Sequence, residues 1–188
     1  MAKIVVVAGK ADSLVLFRGH LLQEMVSRGH EVIACAPGES APVRDKLADF
    51  GVRYIAIHLN RTGMNPLKDM VSVVRLTRLF RSMQPDIFLG YTIKPVIYGS
   101  LAARLAGIPR IHSMITGLGY AFSGTDFKSR TIGGVVRHLF RTVLKSNRIV
   151  FFQNPDDRDV FVNGGLLEER KSIVINGSGV NIDAVSYT

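Results

Sequence analysis

Residues 110–122 read RIHSMITGLGYAF, a strand-like run that opens onto Thr116-Gly117-Leu118-Gly119 and two aromatics. Arg110–Ile115 has the length and the isoleucine content of a strand. Gly117 and Gly119 permit backbone conformations that other residues resist, so the chain there can turn sharply or approach a ligand closely. In a parallel sheet covered by helices, ligands bind just beyond the carboxyl ends of the strands. Whether these glycines floor a ligand site or ease an ordinary turn depends on the sheet that Arg110–Ile115 joins.

Six further strand candidates surround it: Lys3–Ala8, Glu31–Ala36, Val52–His58, Asp86–Gly90, Arg148–Gln153 and Ser172–Ile175. Several are almost continuously apolar (IVVVA, RIVFF, SIVI), as expected for parallel strands buried on both faces. Between them lie helical patterns at Leu14–Ser27, Pro66–Met83, Pro95–Leu105, Thr131–Lys145 and Pro155–Asn163. Prolines stand at the starts of Pro66–Met83, Pro95–Leu105 and Pro155–Asn163 and just past the ends of the first two, and Gly29 and Gly107 follow Leu14–Ser27 and Pro95–Leu105 as stop signals. Strand and helix alternate throughout, which predicts an α/β fold, a Rossmann-like doubly wound parallel sheet of about seven strands over residues 1–175. Asn176-Gly-Ser-Gly-Val-Asn181 reads as the start of a linker, so residues 176–188 are expected to lead into a further domain.

The 188 residues are 47% hydrophobic and 21% charged, enough for one domain with a core and too apolar for global disorder. A single cysteine, Cys35, rules out an internal disulfide and fits a reducing compartment. No signal-peptide pattern opens the chain, and no run approaches the roughly 20 apolar residues of a membrane span. A cytoplasmic location is expected. The formal charge of +9 points to an anionic partner.

Several chemistries find no motif. The first turn, Gly9-Lys10-Ala11-Asp12-Ser13, has one glycine where a dinucleotide fold needs three, and no acid ends the second strand. A Walker loop would need a glycine at Ile4. His20, His30, His58, His112 and His138 lack metal-ligand spacing, so no metal is expected. There is no Gly-x-Ser-x-Gly elbow.

The candidates that remain sit at strand ends or on helix faces. Lys94, in Tyr91-Thr92-Ile93-Lys94-Pro95, stands at a helix entrance where free backbone N–H groups and an ammonium suit a phosphate. Arg18 lies early in the first helix, within reach of the same edge. His112 shares a strand face with Thr116. Arg75, Arg78 and Arg81 line one side of Pro66–Met83, opposite Val73, Leu76, Leu79, Phe80 and Met83. Arg137, Arg141 and Lys145 repeat along the later helix. These basic lines read either as solvated outer faces or as a surface for anionic membrane, where each cation adds about 1 kcal/mol. Nucleic acid is not expected, since no aromatics interleave with the cations.

Taken in order, Phe17-Arg18, Arg28-Gly-His-Glu-Val32, Arg61-Thr-Gly-Met-Asn-Pro-Leu-Lys68, Gln84-Pro-Asp-Ile87, Leu101-Ala-Ala-Arg-Leu-Ala-Gly-Ile-Pro109, Thr116-Gly-Leu-Gly119, Phe152-Gln-Asn-Pro-Asp-Asp157 and Gly177-Ser-Gly-Val-Asn181 resemble the N-terminal half of family 4, GT-B glycosyltransferases of bacterial lipopolysaccharide, capsule and lipid-linked oligosaccharide biosynthesis. The resemblance implies two Rossmann-like domains facing across a cleft, with a missing C-terminal domain holding a nucleotide sugar, expected to be UDP-linked. It implies transfer with retention to a lipid-linked or polysaccharide acceptor, at the inner face of the cytoplasmic membrane and without a metal cofactor. Cleft roles then fall to Gly9, Lys10, Ser13, Arg18, Thr92, Lys94, Thr116, Gly117, Gly119 and Tyr120, with Phe122 as a stacking or lip residue. Many relatives carry a catalytic histidine where this chain has Thr116, leaving His112 and Thr116 as the catalytic candidates. A UDP-sugar 2-epimerase half and a non-enzymatic basic module binding anionic lipid or nucleic acid are the alternatives.

Overall fold

The computed structural model describes residues 1–59, 66–118 and 127–178, with backbone alone for 127–132. Its centre is a strand of three consecutive valines. In β1 (Lys3–Val7) Val5, Val6 and Val7 are fully buried, because helices cover the sheet on both sides. Each such side chain contributes roughly 1.5–3 kcal/mol of burial. β2 (Glu31–Pro37) and β4 (Ile87–Tyr91) flank it, followed outward by β3 (Arg53–Ile57) on one side and by β5 (Arg110–Ile115), β6 (Ile149–Phe152) and β7 (Ser172–Val174) on the other. The order is β3-β2-β1-β4-β5-β6-β7 and all six pairings are parallel. The Rossmann-like doubly wound α/β sheet expected from the sequence is present, with seven strands.

The order in which successive strands are added reverses between β1 and β4, the topological switch point of such folds. Val7 lies beside Gly90, Tyr91 beside Met114, and Ile115 beside Phe152. These neighbouring strands therefore end together, and the residues just past them share one edge.

The helices depart from expectation in three places. The single helix foreseen over Leu14–Ser27 is broken into α1 (Asp12–Leu16) and α2 (Gly19–Ser27), with Phe17 and Arg18 between them. α3 (Ala41–Asp49) was not foreseen; its signals are Pro42 at the start and Val43 and Leu47, four apart and both buried. After α4 (Pro66–Met83), the helix foreseen over Pro95–Leu105 begins as one π-helical turn, Pro95–Gly99, before α5 (Ser100–Ala106). α6 (Phe127–Leu144) and α7 (Pro155–Asn163) complete the set, α7 capped by Asn154, whose side chain accepts from the Asp157 amide at 2.7 Å.

Among the described residues, no helix is long and apolar enough to cross a membrane. The buried stripe of α4 is the foreseen one, with Val73, Leu76, Phe80 and Met83 inward. Its outer face carries more than cations: Leu67 (76% exposed), Met70 (64%), Val71 and Val74 stand in solvent beside Arg75 and Arg78.

Candidate functional site

A cleft of about 290 Å³ opens at the carboxyl edge of the strands, across the switch point. Strand ends supply Tyr91, Thr92, Thr116 and Gln153; the break between α1 and α2 supplies Phe17 and Arg18; Ser13 and Ser178 close the sides. Two other hollows, of about 230 and 430 Å³, lie at Arg141–Lys171 and at Gln84–Pro109, away from this edge. The switch-point cleft is the candidate site because its backbone is irregular and its polar groups converge.

Thr92 has φ +69°, a conformation costly for a β-branched side chain. Gly9 faces it so closely that a β-carbon there would meet Thr92 Oγ1 at 2.7 Å. Gly117, immediately after Thr116, adopts φ +147°, which few L side chains accept. The glycine after β5 is therefore a backbone requirement at the floor of the cleft.

Arg18 is 4% exposed, yet among the described residues no carboxylate pairs with it. Its guanidinium lies 5.1 Å above the Tyr91 ring. Nη1 donates to the Phe17 carbonyl at 3.0 Å and to Ser178 Oγ at 2.7 Å. Nε is buried without a partner. Burial draws the Arg18 pKa downward, and the neighbouring Tyr91 acts in the opposite sense. Ser178 Oγ also accepts from Gln153 Nε2 at 2.8 Å. Ser13 Oγ donates to the Lys10 carbonyl at 2.6 Å, which leaves it to accept from the Tyr91 hydroxyl at 2.8 Å. Burial pushes the Tyr91 phenol up to about 12, partly offset by Ser13 and Arg18, so it stays a donor.

Of the residues expected at the cleft, Ser13, Arg18, Thr92 and Thr116 meet there, with Gly117 following and Gly9 setting the approach to Thr92. Lys10 is exposed and pairs with Asp12 at 2.8 Å. Lys94 is a correction. Its ammonium lies 2.9 Å from the carboxylate of Asp69, itself 3% exposed, and Tyr98 donates to the same carboxylate at 2.8 Å. The ammonium that suited a phosphate is held by α4 instead.

His112 is also displaced from the reacting edge. It pairs with Leu89 and Ile149 within the sheet, four residues or about 13 Å below Thr116. Its ring leans on Phe151 at 6.3 Å, and burial, then Arg148 and Arg110, lower its pKa. It does not line the cleft. Gly119, Tyr120 and Phe122 lie outside the described residues, as do Arg61–Asn65 and 179–188.

Tyr91, Phe17, Gln153 and Ser178 were not among the expected site residues. Tyr91, the first residue past the expected strand Asp86–Gly90, and Gln153, which ends a strand, were both findable from their place on the ligand-facing edge. Arg75, Arg78, Arg81, Arg137, Arg141 and Lys145 are all exposed. Arg141 is tied to the carbonyls of Gly164 and Gly165 at 3.1 and 3.0 Å, and Arg81 to that of Leu105 at 2.9 Å.

The family model described as glycosyl transferase 4-like domain matches residues 17–177. The chain belongs to that family. It is 26% identical over 170 residues to the N,N'-diacetylbacillosaminyl-diphospho-undecaprenol alpha-1,3-N-acetylgalactosaminyltransferase of Campylobacter jejuni, covering 90% of this chain and 44% of the relative. Among solved structures, a glycosyltransferase of Rickettsia africae superposes with TM-score 0.66 at 17% identity, over 97% of this chain and 44% of that one. The UDP-GlcNAc 2-epimerase of Neisseria meningitidis does so with TM-score 0.61 at 16% identity, over 94% and 47%. These superpositions concern the fold, which transferases and epimerases share. The chain spans less than half the length of the curated relatives it matches.

Proposed function

We propose that this chain is the acceptor-side domain of a retaining glycosyltransferase that moves a sugar from a nucleotide-sugar donor, UDP-linked, to a lipid-linked saccharide in cell-surface polysaccharide assembly. The family match over residues 17–177 carries the reading. The named Campylobacter relative, whose acceptor is a diphospho-undecaprenol, favours a lipid-linked acceptor over a free glycan.

In this reading the cleft binds and orients. Thr92, Thr116 and Gln153 offer hydroxyl and amide groups to saccharide hydroxyls, and the half-exposed ring of Phe17 offers an apolar wall. Among the described residues none that lines the cleft is acidic, and the reading assigns no covalent glycosyl intermediate to them. The domain's contribution is positioning and electrostatics, the larger part of catalysis in sites of this kind. The donor belongs to a second domain beyond residue 175, and no metal or other cofactor takes part. The outer face of α4 docks on anionic lipid at the inner face of the cytoplasmic membrane. Leu67, Met70, Val71 and Val74 enter the interface, and Arg75 and Arg78 meet the head groups.

The test is radiolabelled transfer from UDP-sugars to undecaprenyl-diphosphate-linked saccharide. The 188 residues alone should transfer nothing, whereas the polypeptide joining them to a nucleotide-sugar domain should elongate the lipid-linked acceptor with the anomeric configuration of the donor. Acceptor-independent epimerisation of the UDP-sugar would overturn the reading in favour of an epimerase.

A further inference from the structure

Arg18 has a cost that the fold alone does not explain. Removing a guanidinium from water is expensive unless a carboxylate or several hydrogen bonds replace the lost hydration. The buried Asp69 is answered by Lys94, but Arg18 has no such counterpart among the described residues. Among the described residues both of its hydrogen bonds leave from Nη1, and Nε, on the edge it shares with Nη2, is buried without a partner. That edge is the fork with which arginine grips two oxygens of one anion.

The surroundings fix the head group rather than neutralise it. The Tyr91 ring, itself held by Ser13, supplies a face at 5.1 Å, and the Phe17 carbonyl and Ser178 hydroxyl set the rotation. Ser178 Oγ accepts from both Arg18 and Gln153, which leaves its own hydrogen free to donate beside the guanidinium. The result is a pocket whose described lining residues include no acid, with an oriented cation and a neighbouring hydroxyl donor.

We propose that Arg18 is the phosphate-binding residue of this cleft, holding a diphosphate through its unneutralised guanidinium with the Ser178 hydroxyl as second donor. The existence of an anion site follows from the buried, unpaired guanidinium. Its assignment to a diphosphate rests on the proposed function, in which lipid-linked acceptor and nucleotide sugar both carry one. Arg18 thus takes the role that the sequence offered to Lys94.

Inorganic pyrophosphate, titrated calorimetrically into the 188-residue chain, tests the site. Saturable binding is expected, weakened about tenfold or more in Arg18→Met, since a hydrogen-bonded charge is lost. Arg18→Lys keeps the charge and loses the fork, and an intermediate loss of a few-fold is expected. It also keeps the experiment decisive should the methionine variant fail to fold by circular dichroism. Arg170→Gln, at an exposed arginine paired with Glu168 and remote from the cleft lining, should leave binding unchanged. Absence of saturable binding by the wild type, unaltered binding by both folded Arg18 variants, or an equal loss in Arg170→Gln would overturn the proposal. Geranyl diphosphate and uridine diphosphate identify the source: whichever loses affinity in Arg18→Lys is the substrate whose diphosphate occupies the site. Pyrophosphate binding does not require sugar transfer, so a chain that binds through Arg18 yet belongs to an enzyme that transfers no sugar leaves this site standing while the proposed function falls.

Discussion

Replacing Gly9 with alanine places a β-carbon 2.7 Å from Thr92 Oγ1, with Thr92 Cβ at 3.8 Å and Pro95 Cδ at 3.9 Å. The oxygen cannot swing away cheaply, because Thr92 is branched at Cβ and its backbone is already pinned at φ +69°. Either β1 and β4 separate at their tips or Thr92 leaves its rotamer. Overpacking of this kind costs about 1–3 kcal/mol. With a urea slope of about 2 kcal/mol/M, the unfolding midpoint should fall by about 0.5–1.5 M. Thr92→Gly removes both the offending oxygen and the left-handed strain, a gain of about 1–3 kcal/mol set against about 0.5–1 kcal/mol for glycine's freedom in the unfolded chain. In the Gly9→Ala/Thr92→Gly double variant the alanine should therefore cost almost nothing. Urea denaturation of the four proteins gives the coupling energy, expected at about 1–3 kcal/mol. Effects that add to within about 0.5 kcal/mol would refute the claim that these two residues set the approach of β1 to β4.

Other outcomes follow from the same geometry. Lys94→Met leaves the Asp69 carboxylate buried with Tyr98 as its one remaining donor among the described residues and should cost about 3–5 kcal/mol in urea, whereas Lys94→Met/Asp69→Leu should recover most of that loss. A double variant no more stable than Lys94→Met would show that the pair is not what holds α4 to the turn after β4. Cys35 is fully buried, and burial pushes its thiol up to about 12, so at pH 8 the native chain should resist iodoacetamide while the urea-unfolded chain labels readily. Labelling of the native chain at the unfolded rate would contradict its position under α4. Replacing Leu67, Met70 and Val74 with asparagine should abolish sedimentation with phosphatidylglycerol vesicles at every salt concentration. Arg75→Gln/Arg78→Gln should weaken it by about 1 kcal/mol per residue at low salt only. Equal binding by the asparagine variant would remove α4 as the docking face.

How far the residues announce this structure depends on the distance over which each is determined. The parallel sheet was legible because Val5–Val7 and Ile149–Phe152 carry no polar alternation, a pattern that survives only with both faces covered. Arg110–Ile115 is a strand with the boundaries expected, since the glycines after it stop the pattern. α3 escaped notice because nine residues with two buried apolar positions hardly exceed background periodicity. Lys94 misled for a different reason: the carboxylate that holds it lies 25 residues away on α4, and no local pattern encodes that meeting. The exposed Leu67, Met70, Val71 and Val74 were hidden behind a better stripe, since Val73, Leu76, Phe80 and Met83 already accounted for the helical period.

The cleft was only half legible because its residues break local rules rather than follow them. Residues 14–27 have the composition of one helix, yet the chain spends hydrogen bonds to interrupt it at Phe17 and Arg18. Thr92 accepts a backbone that suits glycine, and Arg18 accepts burial without a counter-charge. The other non-glycine residue with positive φ among the described residues, Gln84 at +49°, has an ordinary explanation as the exposed residue ending α4 before Pro85. No such role exists for Thr92 or Arg18, and both stand at the carboxyl edge of the strands beside Gly117. Locally unfavourable choices that converge on one edge are retained for what the edge does. A fold selected for stability alone would have continued the helix through Arg18 and left its guanidinium in water.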